Sequence, residues 1–314
     1  MWCELSLQRW LYCKQSAVNT LRASGLVYSK MSSFDLISVV ITTYNRSDAL
    51  ALVLEGLRYQ TDRHFEVIIA DDGSTQFHQD QIAQACASMG IAVHHVWHPD
   101  VGFTAAQVRN LGVAVSKGPY LVLMDGDCVP EVDFIARHRA LKQVGCFVNG
   151  SRVLLREGFT RRLLAHTEAI TSRSIGYWLR RRLSGDVSKL TGLLRLPDSR
   201  YRLQPKFVWK GIRSCNMAVW KSDYLTVNGF DESFVGWGHE DADFVLRLHN
   251  AGLLRKNGFC ATEVYHLWHP EASRTQEGVN ADKVRQRQAT GQVRSTIGYQ
   301  ESIDAADVVV RSWG

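Results

Sequence analysis

The sequence predicts an α/β fold built on a single doubly wound, mostly parallel sheet, and three observations carry that prediction. Short runs of continuously apolar, β-branched residues occur where a half-exposed strand would alternate, as expected of parallel strands buried on both faces. These runs are separated by segments with apolar residues at helical spacing, which is the βαβ pattern. Several of the runs also end in polar clusters, Thr42–Tyr44, Asp71-Asp72 and Asp125-Gly126-Asp127. Such sheets bind ligands just beyond the carboxyl ends of their strands.

The elements follow in order. Residues 37–43, Ile-Ser-Val-Val-Ile-Thr-Thr, read as a buried strand. Asn45-Arg-Ser-Asp48 offers turn and N-cap chemistry, and Leu50, Val53, Leu54 and Leu57 lie on one helical face. Residues 65–70 form a second strand that runs into Asp71-Asp-Gly-Ser74. A helix is expected over 80–89, a third strand over 91–97 and a helix over 104–117 that Gly118-Pro119 stops. Residues 120–124 are the fourth strand. The segment 151–210 breaks the alternation, mixing arginines with leucines and aromatics, as in Tyr177-Trp-Leu-Arg-Arg-Arg182. Pattern returns with a strand over 214–220, a turn at Asn228-Gly229, a helix over 241–252 and a strand over 263–269.

The chain has 314 residues, an ordinary 45% apolar content and a formal charge of +6, unevenly spread. Between Gly150 and Gly211 fourteen Lys/Arg face only Glu157, Glu168, Asp186 and Asp198, a net +10 that leaves −4 for the rest. Such a segment suits an anionic surface or ligand. Seven cysteines without CxxC spacing argue against a disulfide framework or a zinc site and for a reducing compartment. No apolar run reaches the roughly 20 residues that span a bilayer. Residues 1–30 lack a signal peptide's apolar core. The expected location is therefore cytoplasmic, with peripheral attachment to the inner face of the membrane as a refinement.

Two acidic pairs carry the chemistry. Asp125 and Asp127 stand at the end of a buried strand, where two like charges are costly unless a cation sits between them. A hard divalent cation takes carboxylate oxygens, so a metal site is the natural reading. The second pair, Glu240-Asp241, opens a helical pattern and could move a proton.

Taken together, Val39-Val-Ile-Thr-Thr-Tyr-Asn-Arg46, Asp71-Asp-Gly-Ser74, Gly102, Arg109-Asn110, Asp125-Gly-Asp127, Asn228-Gly-Phe-Asp-Glu232 and Gly236-Trp-Gly-His-Glu-Asp-Ala-Asp243 resemble the family 2 glycosyltransferases. That family has the Rossmann-like GT-A fold, and the last two motifs look like a galactosyltransferase-type C-terminal signature. The resemblance implies an inverting, metal-dependent hexosyl transfer from a nucleotide-sugar, UDP by default, to a glycan or lipid-linked acceptor in surface polysaccharide or glycolipid synthesis. It implies Mn²⁺ or Mg²⁺ bridging the leaving diphosphate. Asp127 is the first choice of ligand, and Asp125 either ligates or bonds the ribose. His266 matches the family's late histidine ligand and His269 is the alternative; three apart on a regular strand, both cannot face the site. Asp241 is implied as general base with Glu240 orienting the acceptor or the loop. Trp237 and Gly238 are implied on the acceptor side, Trp237 as a stacking face. Thr42, Tyr44, Arg46, Asp72, Arg109 and Asp125 are implied in the nucleotide-sugar pocket, with Asp72 bonding the base.

The implied organisation is a loosely ordered N-terminal extension over 1–34 and a nucleotide-sugar-binding half over 35–130. An acceptor-side half over 131–275 holds the basic insertion, and 276–314 is a C-terminal tail. Arginine mixed with Tyr177, Trp178 and leucines suits an interfacial helix on anionic lipid. Two alternatives stand beside this reading. A sugar nucleotidyltransferase would need a glycine-rich phosphate loop where Thr42-Thr-Tyr-Asn-Arg46 stands. A basic membrane or nucleic-acid module would leave the acidic pairs without a role, and nucleic acid is not an expected partner.

Overall fold

In the computed structural model, residues 3–6, 35–166, 168–236, 238–270, 277–303 and 307–314 are described. Ten strands form one sheet in the order Cys3–Ser6, Val309–Trp313, Val93–Trp97, Phe65–Asp71, Ile37–Thr43, Tyr120–Asp125, Asn216–Trp220, Cys146–Asn149, Leu254–Asn257, Leu203–Gln204. The four strands from Val93–Trp97 to Tyr120–Asp125 are mutually parallel, and Asn216–Trp220 then runs antiparallel between two neighbours. The doubly wound expectation holds, and the two-faced burial that motivated it is explicit. Ile37, Val39 and Ile41 point into one apolar core while Val40 and Ile68 point into the other. Helices Ser47–Arg58 and Ala105–Val115 lie in those two cores.

A second, three-stranded sheet positions chemistry. Glu263–His266 pairs antiparallel with Cys128–Pro130 and parallel with Ser151–Leu154, which places His266 directly opposite Cys128. The sharp turn between Asp125 and Cys128 needs its glycine, since a Cβ on Gly126 would come within 3.0 Å of the Thr42 carbonyl oxygen.

The structure shifts several element boundaries. The second helix starts at Gln76 rather than 80, because Thr75 already stands in the extended N-cap conformation. The last expected strand stops at His266 and does not reach 269. The segment 276–314 is not a tail: it supplies a helix at Glu277–Thr290 and, through Val309–Trp313, a sheet strand between Val93–Trp97 and Cys3–Ser6. The Val308 and Val310 side chains it buries explain why it stays with the body. Cys3–Ser6 apart, the 1–34 expectation lies outside the described residues.

The basic segment 151–210 is folded. It contains helices Glu157–Leu164 and Ile175–Leu183 and two short 3₁₀ turns. Trp178, expected at a lipid interface, is instead buried and stacks on Tyr265 with ring centroids 4.2 Å apart and planes at 7°. Arg162 and Arg181 are neutralised by Glu168 and Asp186 and lie over the Phe159 ring. Local charge counting could not show that these acids and arginines meet. Among the described residues no helix is long and apolar enough to cross a membrane.

Candidate active site

The carboxyl ends of three neighbouring strands converge as expected. The Gly126 amide donates to Thr42 O at 2.7 Å and the Asp72 amide to Thr43 O at 2.9 Å. They floor a cleft of about 1010 Å³. Every expected site residue among the described residues lines it, from Thr42, Tyr44 and Arg46 to His266 and His269. Trp237 lies outside the described residues.

Arg109 joins the two acidic pairs. It rises from the Ala105–Val115 helix, is buried, and sits 5.1 Å over the Phe230 ring. One guanidinium nitrogen donates to Asp125 Oδ1 at 3.1 Å, and the other lies 3.6 Å from Glu240 Oε1. Burial by itself would weaken its charge; Asp125 and Glu240 more than offset that and hold it firmly cationic. Thr42 Oγ1 also donates to Asp125 Oδ1 at 3.0 Å, so that oxygen is engaged. Asn110, the next residue, supports the turn behind Phe230. Its Oδ1 accepts from the Phe230 amide and from Tyr224 Oη, at 3.0 and 2.6 Å.

Asp127, Cys128 and His266 form a cluster whose ligand atoms lie within 4.8 Å of one another. His266 Nε2 is 3.8 Å from Asp127 Oδ1 and His269 Nε2 is 3.3 Å from Oδ2. Both histidines therefore reach Asp127, against the expectation that only one could. The strand ends at His266, so its two-residue alternation no longer governs His269. Burial holds the His266 ring below its ordinary range despite Asp127, which keeps it neutral and able to ligate. Burial and the neighbouring Cys215 push the Cys128 thiol well up, so it stays protonated. The donors that remain are carboxylate oxygen and imidazole nitrogen, a set that fits Mn²⁺ and suits Mg²⁺ less well.

Asp241 lies in the first turn of helix Glu240–Asn250, which follows His239 in the left-handed conformation at φ 70°. A non-glycine residue in that region stores strain, and strain concentrates at working sites. Burial, then the Glu240 charge, raise the Asp241 carboxyl to about 7 against the pull of the Ala242 amide and Arg109. That is the range in which a general base works near neutrality. The helix is pinned from below: Arg247 donates to Asp243 at 2.8 Å, and Arg287 bonds both Asp243 and Asp231. Gly238 is held by Asn280, which donates to its carbonyl at 3.0 Å. Arg287 and Asn280 come from the segment that the sequence treated as a tail.

Asp72 is more committed than expected. Its Oδ1 bonds His98 Nε2 at 3.1 Å and the Thr104 hydroxyl, and its Oδ2 accepts the Thr104 amide at 3.0 Å. Oδ2 keeps one lone pair outside these contacts. Asp71 has no share in the cleft: it accepts from the Ser74 amide and meets His95 at 2.9 Å. Tyr44 is exposed with its hydroxyl on Asp100, and Arg46 pairs with Asp48. Arg152 and Arg213 line the cleft and were missed as individual residues; Arg152 was counted only as part of the basic insertion, and Arg213 lies just beyond it. Neither has an ion pair among the described residues, and Arg152 lies 4.0 Å from Cys215 Sγ.

The mixed sheet with a cleft at its strand ends is the architecture of the GT-A fold. The sequence model for glycosyl transferase family 2 matches residues 38–195, and that for the N-terminal domain of galactosyltransferase matches residues 197–270. The chain belongs to glycosyl transferase family 2. It is 28% identical over 239 residues to the chondroitin synthase of Escherichia coli, covering 71% of this chain and 33% of the relative. It is 29% identical over 242 residues to the validoxylamine A glucosyltransferase of Streptomyces hygroscopicus subsp. jinggangensis, covering 71% and 53%. The chain thus spans a third to about half of these relatives' lengths. Among solved structures, the mannosyltransferase PcManGT of Pyrobaculum calidifontis shares the fold at a TM-score of 0.52 with 15% identity, covering 89% of this chain and 76% of that one. TarS of S. aureus does so at 0.52 with 13% identity, covering 85% and 41%.

Proposed function

We propose that this protein is an inverting, metal-dependent glycosyltransferase that moves a sugar from a nucleotide-sugar, in first place a UDP-sugar, to a glycan or lipid-linked acceptor. The observation that carries the reading is the Arg109 junction, which brings Asp125 and Glu240-Asp241 together in one cleft. Asp241 takes the proton of the acceptor hydroxyl as that oxygen forms its bond to the anomeric carbon. The bond from that carbon to the diphosphate oxygen breaks on the opposite face, and the nucleoside diphosphate leaves. Glu240 and Arg109 keep Asp241 in place and in its working charge range. Arg152 adds a cation on the side of the leaving diphosphate. Asp127 and His266 would hold Mn²⁺, with Asp125 Oδ2 and His269 in reach; when bound, the metal neutralises charge developing on the diphosphate.

The names of relatives support the acceptor class. One relative, 31% identical over 93 residues and 30% of this chain, is a UDP-Glc:alpha-D-GlcNAc-diphosphoundecaprenol beta-1,3-glucosyltransferase of Escherichia coli. The PcManGT structure is a complex with GDP-Man and Mn²⁺, which supports the metal and keeps GDP as the second nucleotide. Family membership favours this reading over a nucleotidyltransferase or a binding module. The expected setting is the cytoplasmic side of a membrane that carries the acceptor.

A thermal-shift screen of UDP-, GDP-, CMP- and dTDP-sugars with and without Mn²⁺ tests the proposal. A bound donor at a hundred times its Kd adds about 2.7 kcal/mol of stability. One nucleotide should shift the wild type only with metal, and the shift should vanish in Asp127→Asn. No shift from any donor would defeat the proposal.

A further inference from the structure

We infer that the outer face of helix Ile175–Leu183 is a docking surface for an anionic lipid bilayer. Its apolar contact is the stripe Ile175, Leu179 and Leu183; of the aromatics that the sequence set beside the leucines, Trp178 takes no part. At about 100° per residue, these three follow one another up a single face of the helix. They are 66%, 46% and 90% exposed, whereas Trp178, turned toward the core, is 1% exposed. Three large aliphatic side chains on one face of a solvated helix cost free energy in water and gain it in an interface.

Charge selects the occupant. Arg180 and Arg182 flank the stripe, one on each side, both exposed and neither in an ion pair among the described residues. Arg173, also exposed, stands just before the helix and lies over the Tyr177 ring. The acids nearest the helix are turned inward: Glu168 and Asp186 are spent on Arg162 and Arg181. The outward face is therefore cationic and apolar together, which matches the headgroup and acyl boundary of an anionic leaflet. The helix is also joined to the catalytic region. Trp178 stacks on Tyr265, the residue before His266, so a membrane bound at the stripe has a set position relative to the cleft. This deepens the proposed transfer to a lipid-linked acceptor and rests on it for purpose, though the binding itself is measured without turnover.

The test is flotation of the full chain with vesicles of phosphatidylcholine alone and with a third phosphatidylglycerol. The wild type should float with the anionic vesicles, weakly with the neutral ones, and less as salt rises. Ile175→Ser/Leu179→Ser/Leu183→Ser should lose about tenfold or more of its partitioning at every salt concentration. Arg180→Gln/Arg182→Gln should lose about tenfold at low salt and most of its salt dependence. All changed side chains are exposed, so melting points and donor-induced shifts should equal those of the wild type; that separates failure here from failure of the transferase reading. A wild type that does not float, or variants that float equally well, would overturn the inference. So would a concentration-dependent dimer that the triple serine variant converts to monomer, which would make the stripe a self-association face.

Discussion

Arg109 donates to Asp125 at 3.1 Å from the helix that follows the Val93–Trp97 strand, and its other arm lies 3.6 Å from Glu240. A single buried guanidinium thus bridges the strand-end acids and the helix that carries the candidate base. Its removal leaves two carboxylates uncompensated. Arg109→Gln should cost about 3–5 kcal/mol of stability, because breaking a buried pair strands its partners. Arg109→Lys should recover part of the stability and little of the turnover, since an ammonium cannot fork to both acids. Denaturant melts and steady-state rates on the two variants check this.

Asp241→Asn should lower kcat by at least about a hundredfold while donor binding stays intact. Stability should move the other way. The folded carboxyl sits near 7, above its unfolded value, so wild-type Asp241 favours folding most at low pH and loses that advantage as pH rises through 7. Above pH 7 it is a penalty, at most about 1.4 kcal/mol for each tenfold by which folding raises the carboxylate's proton affinity. The Asn variant should therefore melt a few degrees higher than wild type at pH 8 and no higher near pH 4. Paired melts at the two pH values decide it.

The rate should rise with pH through an acid limb near 7 and then level, because the base works only when ionised. Glu240 is the second cause of the raised value. Glu240→Gln should shift the limb to lower pH even if it also lowers the plateau. A kcat/KM profile with an unshifted limb would remove Asp241 as the titrating base.

Metal dependence should show in binding as well as in rate. EDTA should abolish the donor-induced thermal shift and Mn²⁺ should restore it better than Mg²⁺. Asp127→Asn and His266→Ala should each weaken Mn²⁺ affinity by about tenfold or more, and His269→Ala by less, if His266 is the ligand. Calorimetric titration with Mn²⁺ distinguishes the two histidines.

Arg287→Gln should destabilise the protein by about 3–5 kcal/mol, as Asp231 and Asp243 are both fully buried. A melt that is unchanged would mean that the C-terminal segment does not brace the Glu240–Asn250 helix.

The parallel sheet was legible because strands buried on both faces must be continuously apolar, as Ile37–Thr43 and Phe65–Asp71 are. The strand-end acids were legible because like charges beside a buried strand are costly unless a cation compensates them. Other features belong to pairings distant in sequence. Val309–Trp313 joins the sheet beside Val93–Trp97, and a short strand at a chain's end carries no mark of its neighbour. Trp178 faces Tyr265, and not solvent, because the fold brings a strand 87 residues away against its helix. His269 reaches Asp127 because the strand stops three residues early. Residue types and local periods set which groups could do chemistry; tertiary contact decided which of them meet, since burial and charge pairing depend on neighbours that local sequence does not name.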